Sequence, residues 1–294
     1  MPITLTKITQ FSGHKEAIYA LVYDKTKNTV LSAGGDGYIV SWDIYGNGEG
    51  KTIAKIDSTI YGMVLSSNNY TLYAVTRSGE LYCINLVKKT ITKRLIISDK
   101  PLFSICLKGQ YLFLGNESGE VFKLNEDLSL LDKANFGDKS IRQIINHGEN
   151  IYLATSSNSI YEISQELKIC DKMTNAHENS IFGITTGNNK LWSGGRDALL
   201  KIWKSNELVA EIKAHNLHIN SLDYNLTNKL IISGSMDKSV KIWNSKTHQL
   251  LKVLNKDKCD FHISSVNKVL WIGPNEFISC GDDRMVIYTE IDIK

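Results

Sequence analysis

The sequence predicts an all-β fold in which seven similar units, each a four-stranded antiparallel sheet, close into a ring. Three observations lead to this prediction. A short turn motif recurs at intervals of about forty residues, which is typical of repeated supersecondary units that bury their apolar faces against one another. Apolar residues come in short runs and not at helical spacing. The last unit lacks one strand, and the first residues of the chain match the missing strand.

The recurrent turn opens with a small polar residue in every unit. These residues are Asp36, Ser78, Ser118, Ser157, Asp197, Asp237 and Asp283. Six residues further on, each unit has a residue suited to the interior of a sheet, and these are Trp42, Ile84, Leu124, Ile163, Trp203, Trp243 and Thr289. Units of this length use essentially all of the 294 residues, so we expect one domain over residues 1–294.

Each unit divides into four strand-like runs separated by turn residues. In the sixth unit these runs cover residues 219–224, 230–233, 239–243 and 249–254. Gly, Asn and Asp are frequent between the runs, and these residues tolerate the backbone angles of tight hairpins. The pattern predicts a small antiparallel sheet in each unit.

The two ends of the chain are predicted to share one sheet. The seventh unit stops after its third strand, which covers residues 285–291. Residues 3–10 precede the first unit and match the outer strands at 51–56 and 207–213 in their pattern. We therefore expect the N-terminal strand to complete the last sheet, because this closes the ring and removes the exposed strand edges of an open array.

Signature residues recur in register. The first unit has Ser12-Gly13-His14, Ser32-Ala33-Gly34-Gly35-Asp36 and Trp42-Asp43. The fifth unit has Ala176-His177, Ser193, Asp197 and Trp203. The sixth unit has Ala214-His215, Ser233, Asp237 and Trp243. These motifs resemble those of the WD-repeat β-propellers, over the whole chain. The resemblance implies a seven-bladed β-propeller of four-stranded antiparallel blades. The seventh unit has Thr289 where the family has Trp, and units two to four lack the His, the Asp and the Trp.

The signature residues are predicted to form structural networks inside the blades. A His, a Ser, an Asp and a Trp at these positions can hydrogen-bond in sequence, and each buried bond contributes about 0.5 to 1.5 kcal/mol net. The predicted members are His14, Ser32, Asp36, Trp42, His177, Ser193, Asp197, Trp203, His215, Ser233, Asp237, Trp243, His262, Ser279 and Asp283. A catalytic Ser-His-Asp set occurs once in a protein, whereas this set recurs, so we expect no catalytic residue among them. Units two to four are expected to rely on apolar packing, with Ile84, Leu124 and Ile163 in the indole position.

Other chemistry finds little support in the sequence. Only His215 and His218 lie close together among the histidines, without Cys or carboxylate companions, so we predict no metal site. The glycines of residues 34–37 belong to a hairpin and not to a phosphate-binding loop, and no cofactor is predicted. Five cysteines without close pairs indicate reduced thiols and a cytoplasmic protein.

Charge and hydropathy argue against nucleic acid and membrane partners. The formal net charge is only +3, and lysines are dispersed over every unit, which is typical of a solvated rim. The apolar runs are far too short to span a membrane, and the start of the chain lacks the features of a signal peptide. A closed ring has no free strand edge, so we expect a monomer.

The repeat register nominates residues for a partner-binding face. The positions directly before the turn residue include Arg77, Glu117, Arg196, Met236 and Asp282. A second set, near the start of each innermost strand, includes Tyr19, Tyr61, Phe103, Arg142 and Phe182, together with Asn220 and Asn267. The family resemblance implies that the narrower face around the central channel docks peptides or partner domains. The sequence leaves open whether the aromatic residues face this channel or pack between blades.

Two classes of function remain. The first is a non-enzymatic interaction scaffold whose loops bind a protein or peptide, and Arg77 and Arg196 are then hypothesised to bind an acidic or carbonyl-rich segment. The second is a propeller enzyme, lactonase-like or cofactor-dependent, with a site at the channel mouth. Such an enzyme needs several converging carboxylates or imidazoles, and the nominated positions supply only Glu117 and Asp282. The sequence therefore favours the scaffold.

Overall fold

The computed structural model describes residues 3–46, 48–137 and 139–293. These residues form seven four-stranded antiparallel sheets. The innermost strand of each sheet contacts the innermost strand of the next, and the contacts return from the last sheet to the first. The sheets are therefore the blades of a closed ring around a central channel, and the predicted seven-bladed β-propeller is confirmed. None of the described segments forms a helix that could cross a membrane.

Blades 1 to 4 follow one another along the chain, each running from its innermost to its outermost strand. Blade 1 contains β2 (Ile18–Asp24), β3 (Thr29–Gly34), β4 (Tyr38–Asp43) and β5 (Gly50–Lys55). Blade 2 contains β6 (Ile60–Leu65), β7 (Thr71–Thr76), β8 (Glu80–Asn85) and β9 (Thr90–Ile96). Blade 3 contains β10 (Leu102–Lys108), β11 (Tyr111–Asn116), β12 (Glu120–Leu124) and β13 (Leu130–Asn135). Blade 4 contains β14 (Ile141–His147), β15 (Asn150–Thr155), β16 (Ile160–Ile163) and β17 (Ile169–Met173).

Blades 5 to 7 complete the ring. Blade 5 contains β18 (Ile181–Gly187), β19 (Lys190–Gly195), β20 (Leu199–Lys204) and β21 (Glu207–Lys213). Blade 6 contains β22 (Ile219–Asn225), β23 (Leu230–Ser235), β24 (Val240–Asn244) and β25 (Leu250–Leu254). Blade 7 contains β26 (Val266–Trp271), β27 (Glu276–Gly281) and β28 (Met285–Ile293), and its fourth strand is β1 (Ile3–Ser12) from the start of the chain.

The pairing of β1 with β28 closes the ring as predicted. The two strands are antiparallel from Ile3 opposite Ile293 to Ser12 opposite Met285, with one register shift between Leu5 and Lys7. Both strands extend beyond their predicted ends. Ile3 and Phe11 are buried, so β1 contributes to the core as well as to the hydrogen-bond ladder.

Burial falls from the inside of each blade to the outside. Every residue of β23 is buried, whereas β9 has no buried residue. The second strand of a blade is covered by neighbouring blades on both faces, and the outer strand has one edge in solvent. Apolar side chains from adjacent blades pack into the clusters between them, and this packing explains the short apolar runs of the sequence.

The turn between the second and third strands of each blade requires a left-handed residue. Gly37 has a φ of 69°, and a Cβ there would lie 1.9 Å from the carbonyl oxygen of Ile56. In blades 4 to 7 the same place is taken by Asn158, Ala198, Lys238 and Arg284, all with positive φ. The turn geometry is therefore kept in every blade even where glycine is absent.

Removal of residues 1–10 tests the closure of the ring. The truncated protein should aggregate or lose cooperative unfolding, because β28 becomes an exposed edge and the buried side chain of Ile3 is lost. Urea unfolding and light scattering measure both effects. The double variant Thr4→Lys and Thr6→Lys is the control, since both side chains are exposed on β1. A truncated protein that unfolds like the parent would contradict the role of β1.

Candidate functional site

The signature residues of blade 1 form one buried chain of hydrogen bonds. The indole N–H of Trp42 donates to Ser32 Oγ at 2.7 Å, and Ser32 Oγ lies 2.8 Å from His14 Nε2. His14 Nδ1 lies 3.0 Å from Asp36 Oδ2. Because the indole can only donate, the serine hydroxyl donates to Nε2 and the Nδ1–H donates to the carboxylate. This assignment satisfies all four side chains.

The same chain recurs in blades 5 and 6. Its members are His177, Ser193, Asp197 and Trp203 in blade 5, and His215, Ser233, Asp237 and Trp243 in blade 6. Blade 7 has a shorter version, in which His262 Nδ1 is 2.8 Å from Asp283 and Nε2 is 2.9 Å from Ser279 Oγ. Thr289 takes the place of the indole, and its buried hydroxyl has no hydrogen-bond partner among the described residues.

These networks also fix loops on one face of the ring. Asp237 accepts the backbone N–H of Asn216 at 3.0 Å, and Asp36 accepts that of Lys15 at 2.8 Å. The carboxylate thus ties the loop before the innermost strand to the turn between the second and third strands. Burial alone would raise the pKa of Asp237, but hydrogen bonds from His215 and Ser239 outweigh it and lower the pKa. We call the face that carries these turns and loops the turn face.

Blades 2 to 4 contain substitute polar networks, which the sequence analysis missed. Glu80 accepts hydrogen bonds from Ser78, Tyr82 and Arg94 in blade 2. Asn116 bonds Ser98 and Glu120 in blade 3, and Thr155 bonds Ser157 in blade 4.

The expectation of apolar packing alone in these blades was therefore incomplete. Ile84, Leu124 and Ile163 are fully buried in the indole position as expected. Asn116 and Thr155 end the second strand of their blades, where blades 1, 5 and 7 have Gly34, Gly195 and Gly281, and Glu80 lies just beyond the turn. A Thr or Asn at that position, in a blade without the signature His and Asp, was the signal for them.

A repeated backbone hydrogen bond positions the residues before the turn. In blade 2 the N–H of Arg77 donates to the carbonyl of Thr59 at 2.9 Å, and in blade 5 the N–H of Arg196 donates to that of Ser180 at 2.9 Å. The equivalent bonds are made by Gly35, Glu117, Ser156, Met236 and Asp282. The side chains of Arg77, Glu117, Arg196, Met236 and Asp282 are exposed on the turn face.

The aromatic positions line the central channel. They border a cavity of about 370 Å³ at the turn face, and all are partly exposed. Neighbouring rings touch from blade to blade: the centroids of Tyr19 and Tyr61 are 5.5 Å apart, and those of Tyr61 and Phe103 are 5.1 Å apart. Arg142 and Phe182 continue this series. We call Tyr19, Tyr61, Phe103, Arg142 and Phe182 the channel arc.

The remainder of the channel mouth is polar. Asn220 donates to Ser265 Oγ and to the carbonyl of Val266, both at 3.0 Å. Asn267 donates to the carbonyl of Ile18 at 3.1 Å and to Asp282 at 2.7 Å. These amides connect blades 6, 7 and 1, so the side of the channel without the arc is held by hydrogen bonds between blades.

Further residues on the channel wall were not identified from the sequence. Ser104 Oγ accepts the N–H of Ile144 at 2.8 Å, and Gln143 Oε1 accepts that of Ile184 at 2.7 Å, each from the next blade. Lys268 occupies the equivalent place in blade 7 and also lines the cavity. The available signal was a lysine within an innermost strand, at a position where most other blades have a small residue.

The position of His218 beside the channel and two exposed apolar residues were also not predicted from the sequence. The ring of His218 lies 6.0 Å from that of Phe182 and extends the channel arc. Leu217 and Ile263 are 45% and 59% exposed on loops of the turn face, where Met236 is 44% exposed. These side chains add exposed apolar surface to the turn face.

The histidine pair considered for a metal does not converge. His215 is bonded to Ser233 and Asp237, whereas His218 packs against Phe182. Within residues 3–46, 48–137 and 139–293, no three His, Cys, Asp or Glu side chains are arranged to hold a metal ion.

Comparisons with known proteins agree with the repeat register. The model of the WD domain, G-beta repeat family matches residues 5–43 and 206–244. The crystal structure of the WD40 beta propeller domain of Doa1 has a TM-score of 0.86 at 15% identity, covering 98% of this chain and 97% of that chain. Two segments are thus WD40 repeats and the whole chain has the fold of a WD40 β-propeller, so the family resemblance is confirmed.

One curated relative is similar over a short segment. Restriction of telomere capping protein 1 of Eremothecium gossypii is 31% identical over 83 residues, which is 27% of this chain. The match spans only 6% of the length of that relative.

Two serine variants test the network energetics. Ser233→Ala leaves the buried His215 ring nitrogen and the Trp243 indole N–H unpaired, whereas Ser279→Ala leaves only the His262 nitrogen. An unpaired buried polar group costs about 1 to 3 kcal/mol. In urea unfolding, Ser233→Ala should therefore lose more free energy of unfolding than Ser279→Ala, by about that amount. Equal losses would show that the indole bond contributes nothing.

The pH dependence of unfolding tests the network of blade 2. Burial alone would raise the pKa of Glu80, but hydrogen bonds from Arg94, Ser78 and Tyr82 outweigh it and place the folded pKa below 4.5. Glu80 therefore stabilises the fold above pH 4.5, and this contribution is lost as the pH falls through the folded pKa.

Glu80→Gln removes this titration and isolates the effect. The free energy of unfolding of the parent minus that of the variant should be constant near neutral pH and should decrease below pH 4.5. Other titrating groups largely cancel in the difference because both proteins carry them. A difference that stays constant or grows on acidification would contradict the depressed pKa.

Proposed function

We propose that this WD-repeat β-propeller is a non-enzymatic interaction scaffold that docks a peptide segment of a protein partner over the channel mouth of its turn face. The channel arc is the observation that carries the proposal. It places four aromatic rings and one guanidinium side by side at a concave opening, and each is partly exposed. Tyr, Phe and Arg side chains in such pockets supply much of the energy at protein interfaces.

The rigidity of the turn face supports this proposal. The backbone hydrogen bond before the turn is present in every blade, and the Asp side chains hold the adjoining loops. Binding to loops that are already ordered loses little conformational entropy, so more of the contact energy appears as affinity. Leu217, Met236 and Ile263 add exposed apolar surface on the same face.

The two exposed arginines give the docking surface a charge preference. Arg77 and Arg196 occupy equivalent places in blades 2 and 5, on either side of the blades that carry Phe103 and Arg142. We propose that they contact an acidic or carbonyl-rich segment of the partner. A cytoplasmic location and a monomeric state are part of the proposal: the five cysteines are free thiols, and β1 pairs with β28 and gives the last blade its fourth strand.

The enzyme alternative lacks a comparable observation. The described residues that line the channel cavity include no carboxylate and no imidazole. We also propose that the partner is not a nucleic acid. The formal net charge is only +3, and Glu117 and Asp282 share the turn face with the arginines.

Charge reversal on the turn face tests the proposal. The double variant Arg77→Glu and Arg196→Glu should no longer capture the proteins that the parent captures, because both positive charges of the proposed contact become negative. Lys88→Glu with Lys246→Glu is the matched control, since both lysines are exposed on turns of the opposite face. Affinity purification with quantitative mass spectrometry measures capture, and thermal unfolding verifies the fold. Unchanged capture by the arginine variant would remove the arginines from the docking surface.

A further inference from the structure

The channel cavity has an unbalanced charge. Among the described residues that line it, Arg142 and Lys268 are cationic and none is acidic. Neither side chain forms an ion pair within the described part of the chain. The cavity is therefore an electropositive opening with an aromatic border.

Arg142 is held with most of its donors free. Its Nε–H donates to Ser156 Oγ at 2.7 Å, and its guanidinium lies over the rings of Phe103 at 4.6 Å and Phe182 at 5.5 Å. The terminal N–H groups have no hydrogen-bond partner among the residues described. Burial lowers the pKa of Arg142, while the charge of Glu117 on the rim acts in the opposite direction without an ion pair. The guanidinium is thus positioned in advance and left without an anion.

Lys268 extends the positive charge into the channel. It lies deep in the ring, yet its side chain remains partly accessible from the channel, and burial lowers its pKa. The negative charge of Asp223 raises the pKa of Lys268 through space and so opposes the effect of burial. Burial raises the pKa of Asp223 itself to about 6, against a hydrogen bond from the N–H of Trp271. Lys268 therefore has an acidic group in its surroundings, although the two side chains form no ion pair among the described residues.

From these contacts we infer that the docked peptide carries an Asp or Glu side chain that enters the channel and pairs with the free N–H groups of Arg142. This inference rests on the proposed docking function and specifies its ligand. A half-buried cation without a counter-charge has lost part of its hydration, and a carboxylate matches the planar fork of a guanidinium with two parallel hydrogen bonds. Apolar neighbours of the acidic residue lie on Tyr61 and Phe103.

A peptide fits the surroundings better than a nucleic acid. The described residues that line the cavity supply one arginine and one lysine, whereas nucleic acid binding needs several cations along a phosphate backbone. Glu117 and Asp282 on the rim repel a polyanion but leave room for one carboxylate at the centre.

A peptide selection followed by a double-mutant cycle tests the inference. A display library of random dodecapeptides is selected on the full chain, and an enriched peptide is synthesised with its acidic residue and with the matching amide. Calorimetry then measures both peptides on the parent, on Arg142→Gln and on the opposite-face control Lys88→Gln. We expect an acidic residue at one position of the enriched peptides. The amide peptide and Arg142→Gln should each weaken binding about ten-fold or more, with little further loss in combination.

The outcomes separate this inference from the function on which it rests. Enriched peptides that show no acidic preference, or that bind Arg142→Gln as well as the parent, overturn the carboxylate and leave the docking function standing. A selection that enriches no peptide on the parent overturns both. Binding of a fluorescent single-stranded RNA with the same dependence on Arg142 overturns the peptide as the ligand. The amide peptide tests the parent itself, so the result does not depend on the fold of the Arg142 variant.

Discussion

The antiparallel pairing of β1 with β28 is the interaction on which the rest of the structure depends. It seals blade 7 and holds it against blade 1, where the indole of Trp42 and the ring of Phe11 share one cluster with Tyr288. The channel mouth is built across this junction, because Asn267 of blade 7 donates to the carbonyl of Ile18 in blade 1. A ring that opened here would separate these blades and widen the mouth, and the spacing of the channel arc would be lost.

The blades use different polar interiors to reach one geometry. Blades 1, 5, 6 and 7 hold their turns with a His and an Asp, whereas blades 2 to 4 use groups such as Glu80 and Asn116. The backbone bond before the turn is nevertheless the same in all of them. Tyr61, Phe103 and Arg142 all belong to the blades without the signature. The most distinctive part of the channel arc is therefore carried by blades that departed from the repeat.

The sequence was sufficient for what the repeat period determines. The number of blades, the pairing of the chain ends and the members of the signature networks all follow from residues that recur in register. The orientation of Tyr19 or Phe103 did not follow, because an aromatic residue suits both a channel wall and a blade interface. Pairings such as Arg94 with Glu80, or Gln143 with the N–H of Ile184, join residues of different strands or blades, and the residue types at these positions change from blade to blade. A repeat of residue types therefore does not reveal contacts that are made by different residue types in different blades.

The ring itself gives no reason for a charge at Arg142. The equivalent place is Tyr, Tyr, Phe, Phe, Asn and Asn in the other blades, and neutral residues there satisfy the packing and the hydrogen bonds between blades. Arg142 is half-buried and lacks an ion pair, so its charge has lost part of its hydration without gaining a counter-charge. A charge that the fold does not require, held over two rings with its donors open to the channel, is explained by what it binds.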